Sequence, residues 1–172
     1  MKGKELVIKT LLGEDLEKVP VGVHSAWPAA EQSPYSIGEC CVDGEKMAEA
    51  QIDFQNRHKM DVIHLEIGVG PLVEAMGATV SWPEDRPPIV RENPIDSLED
   101  IDDLEIPDPY EDGKLPELLE TTKLVKQELG GEAFIIGEAD QGPFNLAAQV
   151  IGIEQMLFKI ARREDLELID EL

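Results

Sequence analysis

Ala133-Phe134-Ile135-Ile136-Gly137-Glu138-Ala139-Asp140-Gln141-Gly142-Pro143-Phe144-Asn145-Leu146-Ala147 is the stretch on which the reading of the chain turns. Ala133 to Ile136 is wholly apolar and of strand length, the pattern of a strand covered on both faces, as in parallel sheets. A short polar turn follows. Pro143 then stands where prolines open helices, because the first-turn N–H it lacks has no intrahelical acceptor. Phe144 to about Ala161 carries Leu146, Ala147, Val150, Ile151, Ile153, Leu157 and Ile160 at helical spacing. A strand, a tight turn and an amphipathic helix in that order predict an α/β unit.

Upstream, the same alternation recurs. Lys4 to Leu16 reads as a short helix stopped at Gly13, and Val19, Val21 and Val23 alternate as a first strand that ends at His24. Ser25 to Gly38, with Trp27, Pro28, Pro34 and Tyr35, has no period and predicts a long loop. Asp43 can cap a helix from about Glu45 to Lys59 with Met47, Ala48, Ala50, Ile52 and Phe54 on its apolar face. Asp61 to Ile67 predicts a second strand, with Val62, His64 and Glu66 on one side and Ile63, Leu65 and Ile67 on the other. Ala78 to Trp82 and Pro88 to Val90 predict an antiparallel ribbon around Pro83 to Arg86. Pro116 opens a helix whose stripe of Leu115, Leu118, Leu119, Val125 and Leu129 stops at Gly130 and Gly131. A last helix carries Leu166, Ile169 and Leu172. Helices separate the three apolar strands and no hairpin signal joins them, so the strands are expected to run parallel.

Composition narrows the function classes. The 172 residues suit one domain, and 42% hydrophobic with 30% charged residues is ordinary for a globular protein. Fifteen Lys and Arg against 37 Asp and Glu give a net charge of −22. That charge repels phosphate and anionic lipid, so neither nucleic acid nor a membrane is an expected partner. Glu84 to Glu120 holds 14 acidic residues and three basic ones. Residues 84–115 are read as an acidic, proline-rich connection inside a single partial-barrel domain spanning 1–172, and as a solvated face rather than a docking site. No apolar run approaches the roughly 20 residues of a span, and none after Met1 has a signal-peptide core, so a cytoplasmic location is expected. Cys40 and Cys41 are neighbours that cannot close an ordinary disulfide, and no histidine stands at ligand spacing beside them. Free thiols are expected.

In parallel α/β folds ligands bind beyond the carboxyl ends of the strands, where loops converge and helix N-termini point. Three places qualify: His24 with the Trp27 loop, Glu66 with Gly68 and Gly70, and the turn from Glu138 to Asn145. His24 and Glu66 are the candidate catalytic residues. His24 could give up a proton or hold a substrate acid, or simply be a hydrogen-bonded loop residue; Glu66 could be a general acid or the partner in a salt bridge. Trp27, Glu138, Gln141, Phe144 and Asn145 are the candidate binding residues. Glu138 and Asp140 argue against a bare anion at the Gly142-Pro143 helix start and fit a polar substrate or a partner's cation, or they merely cap the helix. No residue is assigned as a metal ligand.

Gly142-Pro143-Phe144-Asn145-Leu146-Ala147 resembles the "GPFTLA" segment of the uroporphyrinogen decarboxylase-like superfamily. Leu11-Leu12-Gly13-Glu14 with Lys18-Val19-Pro20-Val21-Gly22 is similar to that family's opening helix and "(D/E)RVPV" strand. Glu74-Ala75-Met76-Gly77-Ala78 followed by Pro88-Ile89-Val90 resembles its ribbon, and Leu98, Asp100, Leu104 and Pro107-Asp108-Pro109 its connection. The pieces cover nearly the whole chain in the family's order. The resemblance implies the N-terminal half of a TIM-type (β/α)8 barrel with a small antiparallel ribbon.

Two activities belong to that resemblance. The decarboxylases carry an arginine-rich "RQAGR" loop after the first strand for the acidic arms of a porphyrinogen, whereas here the loop reads His24-Ser25-Ala26-Trp27-Pro28-Ala29-Ala30-Glu31, without an arginine. The cobalamin-dependent methyltransferases of the methylcobamide:coenzyme M type match better. For them the resemblance implies a zinc ion that activates a thiol and a methylated corrinoid on a partner protein. It also implies zinc ligands, a His-x-Cys pair and a later Cys, in a second half that this chain lacks. No cofactor is therefore expected on this chain alone, and the expected partners are a second barrel half or a second copy, with a corrinoid protein. A reduced decarboxylase and a non-catalytic binding module remain the alternatives.

Overall fold

The computed structural model describes residues 1–66, 68, 70–138 and 142–171. Ile67, Asp140, Gln141 and Leu172, which enter the expectations above, lie outside the described residues. The chain divides into two compact units, the first made of residues 1–67, 83–87 and 117–139, the second of 68–82, 88–116 and 140–172.

The first unit is built on a three-stranded parallel sheet in the order β1 (Gly22–Val23), β2 (Val62–Leu65), β5 (Phe134–Gly137). The expected parallel arrangement is found. Gly22 pairs with Val62 and Val23 with Ile63, while Val62, Ile63, His64 and Leu65 pair with Phe134, Ile135, Ile136 and Gly137. Ile63 and Leu65 lie on the face covered by helices α4 (Gly44–His58) and α6 (Leu115–Leu129), in a cluster with Ala48, Val125, Leu129 and Ala133. β5 is less covered than its apolar run suggested: Ile136 is 39% exposed. Helix α1 (Gly3–Leu11) buries Leu6 and Val7, and its Lys4 N–H donates to the Glu132 carbonyl at 3.0 Å.

The first strand is shorter than expected. Residues 19–21 lie outside it and are tied down by Asp61 instead, whose carboxylate accepts from Lys18 Nζ at 2.9 and 3.1 Å and from the Val21 N–H at 3.0 Å. Burial works to raise the Asp61 pKa, but the Lys18 and Val21 hydrogen bonds outweigh it and hold the carboxyl below its usual range. The loop expected over 25–38 is also corrected. It contains helix α2 (Trp27–Glu31) and leads into α3 (Ile37–Val42). A proline in the first turn starts α2, and Ser36 with Glu39 forms a reciprocal capping box that starts α3. Both are local signals that a search for apolar period passes over.

In the second unit, helix α5 (Gly70–Ala75), which the sequence reading did not include, precedes the expected antiparallel ribbon of β3 (Thr79–Ser81) and β4 (Ile89–Glu92), which has a register irregularity at Thr79 and Val80. Val73, Ala78, Ile95 and Val150 form one apolar cluster, and Leu98, Ala147, Ala148, Ile151 and Met156 another. The acidic connection is thus anchored by Ile95 and Leu98, and Leu98 begins a 3-10 helix that runs to Asp103. The single helix expected over 144–161 is two: α7 (Pro143–Ile151) and α8 (Ile153–Arg162). Gly152 separates them at φ +91, a conformation that side chains rarely adopt. Helix α9 (Leu166–Glu171) closes the unit. Among the described residues no helix is long and apolar enough to cross a membrane.

Candidate functional site

Parallel pairing brings the carboxyl ends of β1, β2 and β5 to one edge. His24 follows β1 directly, His64 lies within β2, and Glu138 follows β5. Because Val23 pairs with Ile63, the next position along β1 comes beside His64. The two imidazoles stack with centroids 4.1 Å apart and planes 29° from parallel. On the other side of β2, the Glu138 N–H donates to the Leu65 carbonyl at 3.0 Å, which extends the β2–β5 pairing by one step. Its carboxylate Oε2 lies 3.1 Å from His64 Nε2. The three side chains come together because adjacent parallel strands in register place neighbours on a common face roughly 4.8 Å apart.

The environment of this triad is polar groups without enough partners. His64 is 6% exposed, and its Nδ1 has no hydrogen bond. Glu138 Oε2 is buried and, despite its proximity to His64 Nε2, is not aligned with it as a hydrogen bond. His24 is exposed and leaves the cluster open to solvent on its side. Lys18 is committed to Asp61, and Arg57 to Asp53 and the Gln32 carbonyl. His64 is the ion-pair partner found for Glu138 among the described residues.

Of the residues singled out in the sequence, His24 and Glu138 meet here, and His64, which had been noted only as sharing a face with Glu66, stands between them. Glu66 is half-buried just past β2 and makes no ion pair among the described residues. Trp27 is the first residue of α2, half-buried, with its N–H donating to Ser25 Oγ at 3.2 Å. Phe144 and Asn145 belong to the second unit, both exposed in the first turn of α7, where the Asn145 N–H donates to the Gly142 carbonyl at 3.1 Å. Gln141 lies outside the described residues. The signal for His64 was available in the alternation of β2, but its partners depend on strand order, which no local pattern gives.

The two cysteines do not join this edge. Both are buried on α3, and burial pushes the Cys41 thiol up to about 12 and Cys40 upward as well. Neither is a thiolate at neutral pH.

Comparison with known proteins agrees with this architecture. The chain is 26% identical over 178 residues to the methylcobamide:CoM methyltransferase MtaA of Methanosarcina barkeri, covering 95% of this chain and 49% of the relative. It is 31% identical over 122 residues to the uroporphyrinogen decarboxylase of Geobacter sulfurreducens, covering 71% of this chain and 34% of that protein. A solved methyltransferase from Methanosarcina mazei superposes with a TM-score of 0.81 at 21% identity, covering 99% of this chain and 52% of the other. The chain therefore spans about half the length, or less, of the relatives it matches. Its fold class is α/β, with the parallel sheet and small antiparallel ribbon of half a TIM-type barrel. The model of the family described as uroporphyrinogen decarboxylase (URO-D) matches residues 2–167, and the chain belongs to that family.

Proposed function

We propose that the chain is the N-terminal part of a URO-D-like, corrinoid-dependent methyltransferase, which moves a methyl group from a methylated corrinoid to a thiol or a similar acceptor. The observation that carries this reading is the chemistry of the strand ends. His24, Ser25, Glu66 and Glu138 follow the strands, without a lysine or arginine among them. A porphyrinogen is a polycarboxylate, and an enzyme that holds one needs cations where its arms lie. Two imidazoles beside the Glu138 carboxylate, in a chain of net charge −22, are a poor cradle for a polyanion. They suit a neutral or cationic reacting centre. The long overlap with the methylcobamide:CoM methyltransferase supports the same choice.

The zinc that thiol activation requires in such enzymes has no fitting ligands of the His-x-Cys type here. His24, His58 and His64 have no cysteine two residues on, and Cys40 and Cys41 are buried, protonated thiols. The proposal accordingly assigns thiol activation to a second barrel half and gives this chain the first strand ends, with His24, Trp27 and Glu138 as walls of the pocket. Helix α8 leaves Ile153, Leu157 and Phe158 about half exposed, apolar surface that a second half would cover.

The test mixes this chain with a second-half polypeptide bearing the His-x-Cys pair and a later cysteine. Demethylation of methylcobalamin by 2-mercaptoethanesulfonate is followed by absorbance, and uroporphyrinogen is offered in parallel. Methyl transfer that requires both polypeptides is the expected result. Conversion of uroporphyrinogen to coproporphyrinogen without methyl transfer would replace the reading with the decarboxylase.

A further inference from the structure

We propose that His24, His64 and Glu138 form a divalent transition-metal site of this chain's own, at the carboxyl ends of β1, β2 and β5. The proposal stands on the geometry of the first unit and does not depend on the methyl-transfer reading.

One donor atom from each of the three side chains lies within 4.8 Å of the other two. Metal–nitrogen and metal–oxygen bonds of about 2.0–2.2 Å place adjacent ligand atoms roughly 3.0–3.4 Å apart. His64 Nε2 and Glu138 Oε2, at 3.1 Å, already stand at that separation. Closing the remainder requires a side-chain rotation at His24, the exposed member of the set. The two rings are stacked, 29° from parallel, so that rotation must turn the edge of the His24 ring towards the point between His64 Nε2 and Glu138 Oε2.

Satisfaction of buried polar atoms gives an independent argument. Glu138 Oε2 is buried with no hydrogen-bond partner, beside the ring of His64, which is more than nine-tenths buried. Such an atom is uncommon in folded proteins, because it has given up its hydrogen bonds to water unless a water or an ion meets it. Here the unmet oxygen sits beside an imidazole nitrogen in a chain whose net charge attracts cations. Two imidazoles and one carboxylate are a donor set for zinc or for another first-row divalent ion, and three protein ligands leave at least one coordination position open. With His24 at the surface, that position can be reached from solvent by water, a thiolate or a carboxylate.

The test uses the full chain after removal of metal by a chelator. Zinc chloride is titrated calorimetrically, and cobalt(II) is titrated by visible absorbance as a reporter of ligand geometry. One zinc per chain is expected, with the cobalt spectrum of a low-coordinate nitrogen–oxygen site. His24→Ala and Glu138→Gln should each weaken zinc binding roughly a hundredfold or more, beyond the 10–100-fold typical of changes to outer partners. His58→Ala removes an exposed histidine that contacts Gln32, and it should bind as the parent does. Circular dichroism checks that each variant is folded, and His24, being exposed, keeps the test available if a change at the buried edge disrupts the sheet. The proposal is overturned by the absence of stoichiometric zinc, by binding that survives both substitutions, or by equal loss in His58→Ala, which would mark scattered binding to the acidic surface. Because no corrinoid or thiol is present, failure here is separate from failure of methyl transfer.

Discussion

Two faces of one sheet, set by consecutive residues, differ in what they are made to do. Leu65 is 1% exposed and packs with Ile63, Ala48 and Val125 on the face covered by α4 and α6. His64, one residue earlier, is almost as deeply buried but points its ring at His24 and Glu138. The cluster on the first face is apolar, and its contacts add to stability through area removed from water. On the second, polar atoms are withdrawn from water without full replacement, an arrangement that costs stability and that proteins keep where a ligand completes it. The comparison teaches that burial alone does not mark a core, since chemistry and packing occupy opposite sides of the same strand.

Leu65→Ala should be the most damaging way to break the helix-covered face. Truncating a fully buried leucine typically costs 2–5 kcal/mol, roughly, once the cavity is included, and urea unfolding would show the midpoint fall accordingly. A loss below about 1 kcal/mol would mean that this side of the sheet is not the packed one.

Gly22→Ala attacks the junction between the strands that carry His24 and His64. A Cβ there would meet Val62 Cβ at 2.6 Å and the Val62 carbonyl oxygen at 3.0 Å, so β1 must move. Overpacking of this kind costs about 1–3 kcal/mol, and the displaced strand should also loosen the imidazole stack. Comparing its unfolding curve with the parent's, and its histidine resonances by NMR, separates the two effects.

Asp61 tests the opposite end of the sheet. Its carboxyl is held below the ordinary value of 3.8, so its contribution to stability is present above that pH and is lost as pH falls through the lower folded value. Asp61→Asn should cost roughly 1–2 kcal/mol near neutral pH, the exposed Lys18 limiting the figure, and the gap to the parent should close in acid. A gap that stays constant from pH 7 to below the folded value would show that the carboxylate charge is not what matters. The smallest effect in this series is Ser36→Ala, which removes half of the α3 capping box; about 1 kcal/mol is expected from thermal or urea unfolding.

The sheet could be read from the chain because its signals are local. Ala133 to Ile136, Asp61 to Ile67 and the Gly142-Pro143 helix start each declare themselves within a few residues, and family motifs put them in order. What local pattern misses is set elsewhere. Gly152 splits an amphipathic run by backbone conformation rather than by hydrophobicity, and α2 and α3 are started by a proline and a cap rather than by apolar spacing. The candidate site was half visible. His24 and Glu138 stood out at strand ends, but residues 114 positions apart meet only through the order β1-β2-β5, with His64 as the link. Glu66 drew notice at a strand end and His64 only as its neighbour on one face, but it is His64 that joins the triad.

His64→Leu decides most directly whether the two faces divide labour in this way. Urea unfolding and zinc titration on the same preparation should find stability within about 1 kcal/mol of the parent, since an incompletely partnered imidazole gives way to an apolar side chain. Zinc binding should disappear. A variant that loses as much stability as Leu65→Ala while still taking up one zinc per chain would contradict the account.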